Sequence, residues 1–274
     1  MWLAPESAIV GVGDYPVMPT LSRTADRSQQ VAISIVSHLH GHMVEGLIKD
    51  LLQYPEVGQV VVTKNTPELL TLPPDPRIVV VDNATPAGFA SNQNAAFTSC
   101  RLPYFCALNP DIQLQSNPFP SLLAALETTD AAIAAPLVKN PFGTVEDSIR
   151  SFPTFCSLLR KAVRLSRKER LIIPQGKPFY PDWVAGMFML FRSDAFRQLD
   201  GFDEGFFLYY EDVDICVRVW QAGMKVIVCP SVSVVHDARR ESHKKFRFLH
   251  WHLASMLRYF YKRWGRLPSV PRQQ

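Results

Sequence analysis

The chain has 274 residues, 47% hydrophobic and 20% charged, long enough to bury roughly 70% of its unfolded surface without disulfide or metal staples. With 22 prolines and 13 glycines it is neither collagen-like nor disordered in composition. Its formal charge is +4, yet nine basic and two acidic residues between His236 and Arg266 give that stretch alone +7; the mildly acidic remainder disfavours a uniformly basic nucleic-acid binder.

Residues 1–28 have no clear period and run into a polar string, SRTADRSQQ, so they are read as a leader. VAISIVS at 31–37 is β-branched and bounded by polar turn formers, as a buried strand would be. Helix-compatible sequence follows from Met43 to Tyr54, where Leu47, Leu51 and Leu52 can form one stripe. VGQVVVT (57–63) and RIVVVDN (77–83) are further strands, Ala90 to Ser99 is helix-like, YFCALN (104–109) is strand-like and Phe119 to Leu126 is again helical. Strand and helix alternating through short connections predict an α/β fold, a mostly parallel central sheet flanked by helices. The second half is less regular: AIAAPLV (132–138), a basic helix-like piece SLLRKAVRLSRKER, then VAGMFMLFR (184–192) as one strand. A short helix and Gly turn follow in SDAFRQLDGFDEGF. YEDVDICVRVWQAG spaces Val213, Cys216, Val217 and Trp220 helically and stops at Gly223, before the strand MKVIVCP.

The five cysteines, Cys100, Cys106, Cys156, Cys216 and Cys229, are dispersed and lack CxxC spacing, as expected of mostly buried thiols in a reducing compartment. No apolar run approaches the roughly 18 residues needed to cross a bilayer, so the expected location is the cytoplasm, either free or peripheral on the inner face of the cytoplasmic membrane.

Three constellations carry chemistry. Asn109-Pro110-Asp111 follows an apolar strand, and a carboxylate at a parallel strand's C-terminal end stands where open α/β sheets bind ligands; an Asx-type turn closed by Pro110 is the plainer reading. Glu211, Asp212 and Asp214 sit among Phe206, Phe207, Tyr209 and Tyr210, so a poised general base competes with a helix cap and a solvated first turn. Gly88-Phe89-Ala90, with Asn92 and Asn94 beyond, marks a turn into a helix whose N–H groups could face a phosphate, although neither GxGxxG nor GxxxxGK is present. His236 after VSVV is either a partner of Asp111 at a metal or an isolated histidine. In the tail, Phe248, Trp251, His252, Ser255, Met256, Tyr259 and Phe260 share a helix face edged by Arg247, Arg258 and Lys262. That face suits an anionic membrane surface or packing on the domain.

Taken in order, VAISIVS, VVVTKN, GFASNQNAAF, YFCALNPDIQL, WVAGMFMLFRSDAF, GFDEGFFLYYEDVDICVRVWQAG and the late His236 resemble family-2 inverting glycosyltransferases of the GT-A fold, the rhamnosyltransferase-like branch of bacterial surface-polysaccharide synthesis. The resemblance implies a catalytic domain over 29–235 and a basic aromatic helical extension over 236–274. It implies donor contacts by Asn65, Asn83, Gly88, Phe89, Asn92, Asn109 and Asp111, and acceptor-side positions at Trp183, Ala185, Gly186 and Tyr210. Asp212, or alternatively Glu211, would be the base, and Asp111 with His236 would hold Mg²⁺ or Mn²⁺. The implied partners are a nucleotide-diphospho-sugar, foremost dTDP-rhamnose and alternatively a UDP-sugar or galactofuranose donor, and a saccharide or lipid-linked saccharide acceptor. Nucleic acid is not expected as a partner, and oligomeric state is left open. One departure stands out: the family's second strand usually ends in Asp-Asn, whereas here it ends in Lys64-Asn65, and a lysine cannot accept a base N–H. A non-catalytic binding subunit is the alternative that this departure and the single carboxylate of Asn109-Pro110-Asp111 raise.

Overall fold

The computed structural model describes residues 28–162, 176–237 and 246–271. The leader up to residue 27 and the basic strings at 163–175 and 238–245 lie outside the described residues. In chain order the first half comprises Val31–Ser37 (β1), His42–Leu51 (α1), Val57–Lys64 (β2), Ile78–Asp82 (β3), Phe89–Thr98 (α2), Tyr104–Leu108 (β4), Ile112–Gln113 (β5), Phe119–Thr128 (α3) and Ala131–Lys139 (β6). The second half comprises Ile149–Arg150 (β7), Phe155–Ala162 (α4), Trp183–Val184 (β8), Phe188–Arg192 (β9), Ser193–Gln198 (α5), Glu211–Gln221 (α6), Lys225–His236 (β10) and Phe246–Arg263 (α7).

Eight strands form one sheet in the order β3-β2-β1-β4-β9-β6-β10-β5. β9 runs against β4 and β6, β5 runs against β10, and the other pairings are parallel. Side chains alternate across the sheet, which splits the core in two. Val31, Ile33 and Ile35 of β1 meet Leu47, Ile48 and Leu122 on one face. Ala32, Phe105 and Phe191 meet Phe196, Phe202 and Val217 on the other. That second face is held by edge-on rings, with Phe196 4.6 Å from Phe97 and 4.9 Å from Phe191; such pairs add about 0.5–1.5 kcal/mol each beyond their area.

VAGMFMLFR is not one strand. Trp183 and Val184 pair with Arg150 and Ile149 in a separate two-stranded sheet, and only from Phe188 does the chain join the main sheet. The intervening Ala185, Gly186 and Met187 are thereby freed from strand pairing. α6 starts at Glu211 and ends as its sequence foretells, with Gly223 at φ 75° just beyond it.

The semi-apolar face of the tail lies against the domain rather than outward. Ser255, Tyr259 and Phe260 are buried. The Ser255 hydroxyl donates to the Leu208 carbonyl (2.9 Å), and the Tyr259 hydroxyl donates to that of Pro153 (3.3 Å). Charge fastens the same helix: Asp214 of α6, with no exposed surface, accepts from Arg263 Nε (3.0 Å) of α7 and from Arg218 Nε (2.9 Å) within α6. Four of the five cysteines are buried and unpaired, as expected, and Cys156 is exposed.

Removing one partner of a buried pair strands the other. Asp214→Asn is therefore expected to lower stability by about 3–5 kcal/mol in urea unfolding, whereas Arg192→Ala, which breaks an exposed pair with Asp194, is expected to cost under about 1 kcal/mol.

Candidate active site

The order β2-β1-β4 places a topological switch point at the C-terminal ends of β1 and β4, where an open α/β sheet leaves a crevice. β4 ends there in a tight turn. The Asn109 N–H donates to the Met187 carbonyl (2.9 Å), and the Ile112 N–H donates to the Asn109 carbonyl (3.3 Å). β5 then pairs with the end of β10, Ile112 opposite His236, which brings together two residues from distant parts of the chain. His236 Nε2 is 3.1 Å from Asp111 Oδ2, and its Nδ1 is 2.7 Å from Glu146 Oε2. Glu146 is missing from the sequence candidates. It arrives on the turn after β6, where its N–H donates to the Val138 carbonyl (2.8 Å), and nothing in the string NPFGTVED marks it as facing a histidine. Burial opposes a charged ring at His236, but the bonds to Asp111 and Glu146 outweigh it and raise its pKa to about 9.

Asp111 Oδ1 is buried without a hydrogen-bond partner among the described residues. No group of three or more His, Cys, Asp or Glu side chains there is arranged to hold a metal ion unaided. One carboxylate with an orphaned oxygen and one adjacent histidine, whose Nε2 proton the cation would displace, fit a divalent cation that takes its remaining ligands from phosphate and water. Glu146, on the far ring nitrogen, is the kind of carboxylate that fixes a metal-binding imidazole's orientation.

The second acidic centre opens α6. Asp212 Oδ2 accepts the Gly186 N–H (3.0 Å) and its Oδ1 accepts the Val213 N–H (2.8 Å). Glu211 is buried with Oε2 unpartnered. Burial pushes both carboxyls up, and the neighbouring charge of Asp212 pushes Glu211 further, while the two N–H bonds restrain Asp212. The pair holds a proton readily, and Asp212 is its more accessible member. Tyr209 and Tyr210 enter the helix at φ 71° and 68°, a left-handed geometry costing about 1–3 kcal/mol per residue. Packing sustains it, with Tyr210 5.3 Å from Tyr259 and Phe207 4.6 Å from Trp251. Gly186-Met187 ties the two centres together, since its N–H holds Asp212 and its carbonyl holds Asn109. Ala185 is fixed beside them by its N–H to the Ser148 carbonyl (2.8 Å). Trp183 is nearly enclosed, its indole N–H donating to the Ser151 carbonyl (3.0 Å).

Asn65, Asn83 and Asn92 form one network. Asn83 Nδ2 donates to Asn65 Oδ1 (2.9 Å) and to Asn92 Oδ1 (2.7 Å), and Asn65 clasps the backbone of Ala87 from both sides. Their amides thus build the turn before α2. The Phe89 N–H donates to the Phe207 carbonyl (3.0 Å) and the Asn92 N–H to that of Gly88 (3.1 Å), so these two N–H groups have protein partners rather than facing a phosphate. Gly88 is required by that approach, because an added Cβ would lie 2.5 Å from the Phe207 oxygen. The unexpected Lys64 is paired in register with Asp82 of β3, Nζ to Oδ1 2.7 Å, and Asp82 is 67% exposed. A cavity of about 630 Å³ beside α2 and α5, lined by Phe97, Phe196 and Arg218, includes none of these acidic groups, and Arg218 is already bonded to Asp214, Leu199 and Gly201.

Residues 173–266 match the family described as glycosyl transferase family group 2. Rhamnosyltransferase WbbL of Escherichia coli K12 is 29% identical over 84% of this chain and 92% of its own length. The N-acetylglucosaminyl-diphospho-decaprenol L-rhamnosyltransferase of Mycobacterium tuberculosis is 35% identical over 47% of this chain, a region that spans 45% of that protein. Among solved structures, GalNAc-T7 with UDP, GalNAc and Mn²⁺ superposes with a TM-score of 0.58 at 16% identity, over 79% of this chain and 45% of that one. A mannosyltransferase from Pyrobaculum calidifontis with GDP-Man and Mn²⁺ gives 0.57 at 15%, over 88% and 66%. The fold is that of the GT-A glycosyltransferases.

A buried acid with a raised pKa keeps its proton in the folded state after the unfolded chain has lost it. Its contribution to stability is therefore full below the ordinary value of 4.5 and declines as pH rises above it. Glu211→Gln removes that decline: the variant is expected to gain on the wild type in urea unfolding as pH is raised from 4.5 through neutrality, and a constant difference across that range contradicts the assignment.

Proposed function

We propose that the chain is a family 2 glycosyltransferase, as the match over residues 173–266 and the rhamnosyltransferase relatives support, and that it transfers rhamnose, with inversion, from dTDP-rhamnose to a hydroxyl of a lipid-linked saccharide in surface-polysaccharide assembly. The observation that carries the chemistry is Asp212, a half-buried carboxylate whose two oxygens are aimed by the Gly186 and Val213 N–H groups. A base held in this way needs no reorganisation when the acceptor arrives.

In this reading Asp212 takes the acceptor's hydroxyl proton as that oxygen bonds to the anomeric carbon, and the bond from that carbon to the diphosphate breaks on the opposite side. Asp111 and His236 would hold Mg²⁺ or Mn²⁺, which when bound supplies charge neutralisation for the departing diphosphate. Glu146 orients the His236 ring. Gly88 to Asn92 shape the donor-side wall, and Tyr210, Trp183 and Ala185 shape the acceptor side.

The rhamnosyltransferase relatives support the sugar. Asp82 supports the base: it restores, one strand over, the carboxylate that Lys64 displaces, and it can accept the ring N–H of thymine or uracil. A UDP-linked donor is the second reading that the same pair permits. The basic tail supports a working location at the cytoplasmic face of a membrane, where a lipid-linked acceptor would be found.

Asp212→Asn keeps the shape and removes the base. It is expected to lower kcat by about 10²- to 10⁴-fold while calorimetry shows dTDP binding in the presence of Mn²⁺ unchanged. Asp111→Asn is expected to weaken that metal-dependent binding itself. Nucleotide binding without transfer by the wild type, across dTDP- and UDP-sugars with saccharide acceptors, would leave the binding-subunit reading instead.

A further inference from the structure

The inward face of α7 takes up Trp251, Tyr259 and Phe260, yet its outward side also carries apolar side chains. Leu253, Leu257 and Tyr261 follow one another at four-residue spacing, Trp264 lies just beyond, and all are exposed, Tyr261 by 91%. α4 extends the patch: Phe155 stacks 4.7 Å from Trp264 and 4.5 Å from Phe260, and both Phe155 and Leu159 are exposed. Contiguous exposed apolar surface marks an interaction site.

Charge identifies the cover. The segment at the end of α4, residues 160–170, holds six basic residues and one acidic. The segment leading into α7, residues 238–247, holds five basic and one acidic. Together they carry a net +9 in a chain whose total is +4, so everything else is −5. The two most basic strings therefore flank the two helices that share the apolar patch. A two-fold contact between copies would set this charge against itself, whereas an anionic bilayer complements both the charge and the apolar side chains. No helix among the described residues is long and apolar enough to cross a membrane, so the contact is peripheral.

We infer that the outward sides of α4 and α7 form one docking face for an anionic lipid bilayer. The inner side of α7 holds the Phe207–Tyr210 segment through Trp251, Ser255 and Tyr259. Docking on the outer side thus sets the acceptor wall at a fixed height above the lipid. The docking face stands on the surface alone, and only its consequence for the acceptor rests on the function proposed above.

The test is sedimentation of the full chain with vesicles of phosphatidylcholine, with and without phosphatidylglycerol. Wild type is expected to bind the anionic vesicles, and to release them as NaCl is raised to about 0.5 M, where the Debye length shrinks to a few Å. The double variant Leu253→Asp, Leu257→Asp replaces exposed side chains, so its melting temperature should stay unchanged while vesicle binding falls about tenfold or more. A second variant, Lys244→Glu with Lys245→Glu, should weaken binding to anionic vesicles and leave the melting temperature alone. Absence of vesicle binding, or binding unaltered in both variants, overturns the inference, as does a wild-type dimer in sedimentation velocity that the leucine variant converts to monomer. Nucleotide binding with Mn²⁺, measured in the same samples, reports separately on the donor site.

Discussion

The site depends on a short stretch of chain that refuses to be strand. Between β8 and β9 the backbone leaves one sheet before joining another, and Ala185, Gly186 and Met187 keep their polar groups free of ladder pairing. Buried backbone groups must find partners, and these find them in the chemistry-bearing residues: the Gly186 N–H in Asp212, the Met187 carbonyl in the Asn109 N–H. Two acidic centres from opposite halves of the sequence are thereby indexed to one rigid dipeptide. A continuous strand from 184 to 192 would have used the same groups for sheet and left both centres unreferenced.

Around that dipeptide the structure supplies restraint in proportion to the strain. The left-handed entry of Tyr209 and Tyr210 into α6 is unfavourable by itself, and α7 is packed where it can hold it, with rings against Phe207 and Tyr210 and a hydroxyl on Leu208. Asp214, two residues past Asp212 and without exposed surface, fixes the same helix end to Arg263. The C-terminal helix is thus part of the acceptor wall's support as well as a covering for the core.

Much of this was legible in the sequence, because periodicity reports faces. The β-branched run VAISIVS, the apolar YFCAL and the helical spacing after Glu211 place the sheet and α6 correctly, and Gly223 stands where the helix end takes a left-handed residue. The failures have a common physical origin in long-range pairing. Continuous apolar character in VAGMFMLFR hides a switch between sheets, since both pieces are buried. Glu146 becomes a partner of His236 only because β5 closes on β10, and Lys64 is intelligible only once β3 lies beside β2 and presents Asp82. The Gly88 turn is legible as a turn, but what its N–H groups face depends on a loop more than a hundred residues away.

β3 leaves one more mark on the molecule. It closes the sheet at one end, and Val79, Val80 and Val81 keep between 37% and 45% of their surface exposed. A run of β-branched residues with an open row of amides is a template for strand addition by another chain. Here the template is cut to five residues, with Pro73, Pro74 and Pro76 ahead of it and Pro86 behind, none of which can donate to a ladder. A stray strand docking there meets too few consecutive amides to zip far. The same prolines that make this stretch of sequence look irregular act as fences, keeping the border of the sheet from becoming the seed of an aggregate while the rest of the domain assembles.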